Sequence, residues 1–147
     1  METVRYPDLD PEDRALVDAA REALRSAYAP YSDVRVGAAL RTVGGIVTGS
    51  NVENAAYGST LCAERMAVGR ANATGERAFS AVAVAAEGDA LPPDRPVSPC
   101  GACRQVLFEM AHSTGTGTRV LMTEPGTDRV TVAGLAELLP LPFGPTG

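Results

Sequence analysis

The chain has 147 residues, 45% apolar and 21% charged, the balance of an ordinary folded protein, and this excludes extensive disorder. Its net charge of −5, with thirteen positive side chains scattered along the sequence, argues against a nucleic-acid strand as partner, and the complete absence of lysine excludes lysine Schiff-base chemistry. No apolar stretch is long enough to span a bilayer, and the first residues, Met1 to Asp8, lack the apolar centre of a signal peptide, so a cytoplasmic protein without membrane attachment is expected.

A single domain over residues 1–147 is expected, with 1–10 and 144–147 as flexible tails. Residues 11–28 predict an amphipathic helix: Leu16, Ala19, Ala20, Ala23, Leu24 and Ala27 recur at helical spacing, Pro11 suits the first turn and Pro30 bars continuation. Val34, Val36, Ala38 and Leu40 alternate as in a strand; Gly44-Gly45 marks a turn, and Ile46 to Asn51 returns as the second arm of a hairpin. Residues 61–72 read as a helix. Phe79 to Ala86 is nearly all apolar, the pattern of a strand buried on both faces. A Pro-rich loop over 87–98 leads to a helix over 100–112, short strands at 119–122 and 129–132, a short helix at 133–138 and a Pro-rich tail. This order predicts an α/β fold with one mixed sheet between helices: an antiparallel opening hairpin, then parallel crossovers.

Two segments carry the chemistry. Cys62-Ala63-Glu64-Arg65 places a thiol and a carboxylate two residues apart, and Pro99-Cys100-Gly101-Ala102-Cys103 is a C-x-x-C behind a proline. Both lie where a loop becomes a helix, with Thr60 and Ser98 as candidate caps. A helix N-terminus offers partial positive charge and free N–H groups, which favour a thiolate. Three thiolates, Cys62, Cys100 and Cys103, would hold Zn²⁺ with one tetrahedral position open, as catalytic zinc requires, and water in that position is activated near neutral pH. Arg65 is expected to donate hydrogen bonds to a thiolate and so withdraw charge from the metal. Glu64 sits too close in sequence to Cys62 for a comfortable fourth ligand and suits the role of proton shuttle, the arrangement found in zinc deaminases.

Other readings exist for these residues. A lone C-x-x-C can be a redox pair or two buried cysteines. A structural zinc would want a fourth protein ligand, and the single histidine, His112, lies two turns beyond Cys103, where a surface or capping role is the plain expectation. An odd number of cysteines in a chain without an export signal speaks against a disulfide framework.

With these motifs, and with Tyr31-Ser32, Val36-Gly37-Ala38-Ala39-Leu40, Asn51-Val52-Glu53-Asn54-Ala55, Arg104-Gln105 and Glu137-Leu138-Leu139-Pro140, the sequence resembles the cytidine deaminase family in its small, three-cysteine, homotetrameric form, over roughly residues 14–145. The resemblance implies a three-layer fold with a five-stranded mixed sheet, and hydrolytic deamination of cytidine and deoxycytidine in pyrimidine salvage. It implies that Asn51 and Glu53 grip the ribose hydroxyls, that the backbone of Ala63 meets the base or the activated water, and that Tyr57 and Phe143 reach a neighbouring subunit's site. Taken alone, Asn51 and Glu53 could simply end a strand, and the two aromatics could be packing residues. One position departs from the pattern. Where the family usually places a phenylalanine that stacks on the pyrimidine, this chain has Val34. Loss of stacking, worth about 1–3 kcal/mol, would weaken cytidine binding or admit a modified substrate; blasticidin S deaminases, which share the zinc motifs, also differ in this strand. A non-catalytic zinc-stabilised interaction module is the reading from another class.

Overall fold

In the computed structural model, which describes residues 1–144, the chain forms β1 (Glu2–Arg5), α1 (Pro11–Ala23), β2 (Arg35–Thr42), β3 (Gly45–Ser50), α2 (Ala63–Ala73), β4 (Phe79–Glu87), α3 (Gly101–Thr114), β5 (Arg119–Thr123), β6 (Arg129–Gly134) and α4 (Leu135–Leu138). The six strands make one sheet in the order β1-β6-β5-β4-β2-β3. Only β4 and β5 pair in parallel; the β2–β3, β2–β4, β5–β6 and β1–β6 pairs are antiparallel. The crossover through α3 is thus parallel, as expected. The crossover through α2 is parallel too: it carries the chain from β3 past β2, and β3 and β4, each antiparallel to β2, run in the same direction.

The sheet has six strands, not five. The additional one is β1, inside the segment expected to be a flexible tail; its residues Glu2 to Arg5 pair with Arg129 to Val132 of β6. In this short edge strand only Val4 is partly covered, so no apolar alternation marks it in the sequence. Of the other expected tail, residues 145–147 lie outside the described residues.

Alternation along β4 separates the two cores. Ala81, Ala83 and Ala85 point to one face and pack with Leu16, Val17 and Ala20 of α1. Val82 and Val84 point to the other and pack with Ala67 and Val68 of α2 and Leu107 and Ala111 of α3. Period two thus makes a strand buried on both faces, as its nearly all-apolar run predicts. Two glycines set the layer spacing. A Cβ at Gly37 would strike the α1 backbone at Ala20, and one at Gly49 would lie 2.6 Å from Ala63 O and 2.5 Å from Ala67 N, so α1 and α2 rest directly on the strands.

Helix α1 begins at Asp10, whose carboxylate accepts the Asp13 N–H at 2.8 Å, with Pro11 in the first turn. It stops at Ala23, before the expected residue 28, and tightens into a single 3₁₀ turn over Leu24–Ser26. Asp13 is buried and receives Arg41 from β2 at 2.8 Å and Arg119 from β5, tying α1 to both strands. Burial alone would raise this carboxyl, but the two guanidinium hydrogen bonds outweigh it and hold it below the usual aspartate range. Its stabilising contribution is therefore complete above the unfolded value of about 3.9 and is lost as pH falls through the lower folded value. Asp13→Asn should lower stability by about 3 kcal/mol at pH 7, the low end for breaking a buried pair because Arg119 is half-exposed. Urea unfolding at pH 7 and pH 3 checks this, the gap between variant and parent narrowing in acid.

Candidate active site

Helices α2 and α3 point their N-termini at one spot. Cys62 is the N-cap of α2 and Cys100 the N-cap of α3, where the Cys100 sulfur accepts the Cys103 N–H at 3.5 Å. The expected caps, Thr60 and Ser98, have other duties. The Thr60 hydroxyl accepts the Asn54 N–H, and that of Ser98 accepts from Arg104 at 2.6 Å.

The three cysteines are unpaired by disulfides, and their sulfurs all lie within 4.8 Å of one another, with Cys62 and Cys100 Sγ 3.8 Å apart. Tetrahedral coordination with Zn–S bonds of about 2.3 Å requires sulfurs about 3.8 Å apart, so the pre-formed geometry fits zinc. Electrostatics agrees. Burial pushes the Cys103 thiol well above its ordinary range and raises Cys62 too, and the Glu64 carboxylate adds to the effect on Cys103. Three clustered thiols cannot all ionise without a cation between them; a divalent, thiophilic ion supplies it. The sulfurs are graded in access: Cys103 is buried, Cys62 intermediate and Cys100 exposed. No other group of three or more His, Cys, Asp or Glu side chains among the described residues could hold a metal ion, and His112 instead stacks on Phe108 at 5.4 Å.

Glu64, in the first turn of α2, is 4% exposed, and its Oε2 lies 3.5 Å from Cys103 Sγ. Burial raises its carboxyl above the ordinary glutamate range, toward the neutral pH at which a shuttle must both take and release a proton. Arg65 donates from Nη2 to Thr60 O at 2.8 Å and reaches Cys62 Sγ at 3.9 Å, the contact expected of it; its Nε is buried without a partner among the described residues. Arg65→Ala should keep zinc while kcat drops about tenfold, the scale of one hydrogen bond to a charged group; zinc content measured beside turnover checks it.

Two of the three sulfurs, those of Cys62 and Cys100, line a cavity of about 250 Å³. It is shared with Ala63 and Glu64 of the α2 start, with the apolar Val34, Val36 and Val97, and with the polar Ser32, Asn51 and Glu53. Reciprocal hydrogen bonds between Val52 and Leu61, both 2.9 Å, close the intervening loop and draw Asn51 and Glu53 toward Cys62. Buried Asn51 accepts the Val36 N–H at 2.8 Å and donates to Val34 O at 2.9 Å, fixing the wall that carries Val34. Glu53 accepts from the Ser32 backbone and hydroxyl. Tyr57 and Phe143, 75% and 85% exposed, do not line this cavity. Sequence reasoning did not place Ser32, Val36, Thr60, Leu61, Val97 or Ser98 in the site, although Ser32 lies in one of the motifs that carry the resemblance and Val97 has no local mark.

Residues 10–115 match the family described as the cytidine and deoxycytidylate deaminase zinc-binding region. The chain belongs to this deaminase family. It is 48% identical over 96 residues to a cytidine deaminase of Halalkalibacterium halodurans, covering 65% of this chain and 69% of that protein. It is 43% identical over 127 residues to the cytidine deaminase of Mycobacterium tuberculosis, covering 85% and 84% of the two chains. A solved cytidine deaminase from Burkholderia pseudomallei superposes with a TM-score of 0.77 at 45% identity, over 88% of this chain and 97% of that one. A deaminase of this family uses zinc, and the three sulfurs are this chain's site for it.

Proposed function

We propose that the protein is a zinc-dependent cytidine deaminase that hydrolyses the exocyclic amine of cytidine and deoxycytidine, giving the uridine form and ammonia. The observation that carries this is the lining of a single cavity, which brings together two of the three sulfurs, the Glu64 carboxylate, the hydroxyl-binding groups Asn51 and Glu53, and apolar valines. A nucleoside presents the matching set: a reactive amine, sugar hydroxyls and a flat apolar ring. Cys62, Cys100 and Cys103 would hold zinc, which when bound would supply an activated water for attack on C4 of the base. Glu64 Oε2 takes one proton from that water and gives it to the ring nitrogen, then takes the second proton from the oxygen now bonded to C4 and gives it to the amine, which leaves as ammonia. The Ala63 N–H, in the first turn of α2, has no acceptor within the helix and donates to the base or to the activated water. Asn51 and Glu53 hold the ribose: the Asn51 amide keeps a second N–H beyond its bond to Val34, and the Glu53 carboxylate accepts a hydroxyl.

Among the described residues no helix is long and apolar enough to cross a membrane, and three free cysteines suit a reducing compartment, supporting a cytoplasmic enzyme of pyrimidine salvage. The chain acts as one zinc domain in a homotetramer. Support comes from Tyr57 and Phe143: both rings are exposed and off their own cavity, and reaching a neighbour's nucleoside explains them.

Ultraviolet assay of the zinc-loaded protein on cytidine, deoxycytidine and blasticidin S tests the substrate assignment; negligible rates on both simple nucleosides would reject it. No aromatic ring is among the residues lining the cavity, since its apolar walls are valines, Ala63 and Leu61. Val34→Phe should therefore lower KM for cytidine about tenfold by restoring a stacking partner, read from initial rates.

A further inference from the structure

The C-terminal arm is held at two points by the helix that carries the metal ligands. Arg104 donates from Nη1 to Leu138 O at 2.7 Å and from Nε to Pro99 O at 2.8 Å. One helical position on, Gln105 donates from Nε2 to Phe143 O at 2.8 Å and accepts the Phe143 N–H on Oε1 at 3.1 Å. A single side-chain amide thus takes both backbone groups of one residue, as a neighbouring strand would, and only one orientation of the amide satisfies both bonds. Pro140 and Pro142 stiffen the segment between these tethers. Yet the side chains so presented are uncovered: Leu141 is 90% exposed and Phe143 85%. Fixing a backbone while leaving its large apolar side chains in water spends conformational entropy without burying surface. The arrangement makes sense when a second surface receives the ring.

We infer that Gln105 is a positioning residue, whose two-point grip on the Phe143 backbone aims that ring into the nucleoside site of a second copy of the chain. The inference rests on the shared-site assembly proposed above. The same turns of α3 supply Cys100 and Cys103 to their own site and, through Gln105, steer a side chain toward another.

Steady-state kinetics on cytidine for Phe143→Ala, Gln105→Ala and the double variant, with assembly mass by light scattering, tests it. Each single change should raise KM about tenfold, the value of one stacked ring, with kcat within about twofold, zinc content unchanged and the assembly intact. The double variant should be no worse than Phe143→Ala, because the two residues act through one ring. A purely structural glutamine would give additive effects, and that result overturns the inference. Unchanged KM in Gln105→Ala alongside a raised KM in Phe143→Ala overturns it while leaving the shared site standing. An unaffected Phe143→Ala removes both. Should Gln105→Ala fail to assemble, Gln105→Glu decides: it keeps the size and the acceptor but sets an oxygen against the Phe143 carbonyl, so KM should rise, and a parental KM rejects the role.

Discussion

Glu64→Gln is expected to lower kcat for cytidine about a thousandfold, within the 10²–10⁴ span typical of a general acid–base residue, while zinc content and thermal midpoint stay near parental values. The reasoning is steric and protonic together. Glu64 is 4% exposed at the first turn of α2, so an isosteric side chain is needed to keep the packing, and glutamine provides it. The amide still donates and accepts hydrogen bonds beside Cys103 but cannot bind and release a proton. Turnover measured beside metal content separates chemistry from folding. A variant that deaminates at the parental rate would return the chain to the class of metal-stabilised modules without catalysis.

Cys103→Ser should be the next most severe change. Cys103 is fully buried, and its sulfur lies beside both Cys100 and the Glu64 carboxylate. Serine does not form the anionic, soft donor that zinc requires, and its shorter C–O bond would draw the donor atom away from the other two sulfurs. Even disturbing partners that merely orient a ligand lowers metal affinity by about 10–100-fold, so removing a ligand should lower it by more than about 100-fold. The purified variant is expected to hold well under one zinc per chain and to show no measurable turnover. A full complement of metal would mean that the ion sits elsewhere. The substitution should also lower the thermal midpoint, because a metal shared with Cys62 and Cys100 would tie together the starts of the two helices that those residues cap.

What the sequence discloses about this site depends on how local the interaction is. Cys62, Glu64, Cys100 and Cys103 fall within two short motifs, and helix geometry alone puts each pair on one end of a helix. The caps were expected at Thr60 and Ser98, two residues early, because cysteine is not a usual cap; here Cys62 and Cys100 hold those positions, and the Cys100 sulfur accepts the Cys103 N–H. Asn51 reads as a sugar ligand or a strand end, but its amide is also the brace between Val34 and Val36, a pairing across fifteen residues with no periodic trace. The Asp13 triad spans 106 residues from α1 to β5 and is equally invisible. Strand β1 escapes because an exposed edge needs no apolar alternation. The β4 strand and the helices that cover it were legible because burial on both faces leaves a composition that few other environments tolerate.

Gly49 lets β3 and α2 meet main chain to main chain. The strand leads toward Asn51 and Glu53, and the helix pressed against it starts behind Cys62 and carries Glu64, so backbone contact rather than side-chain packing sets the spacing between these two pairs of cavity residues. Close-packed atoms compress very little. Mutational drift among the surrounding valines and alanines should therefore leave that spacing unchanged.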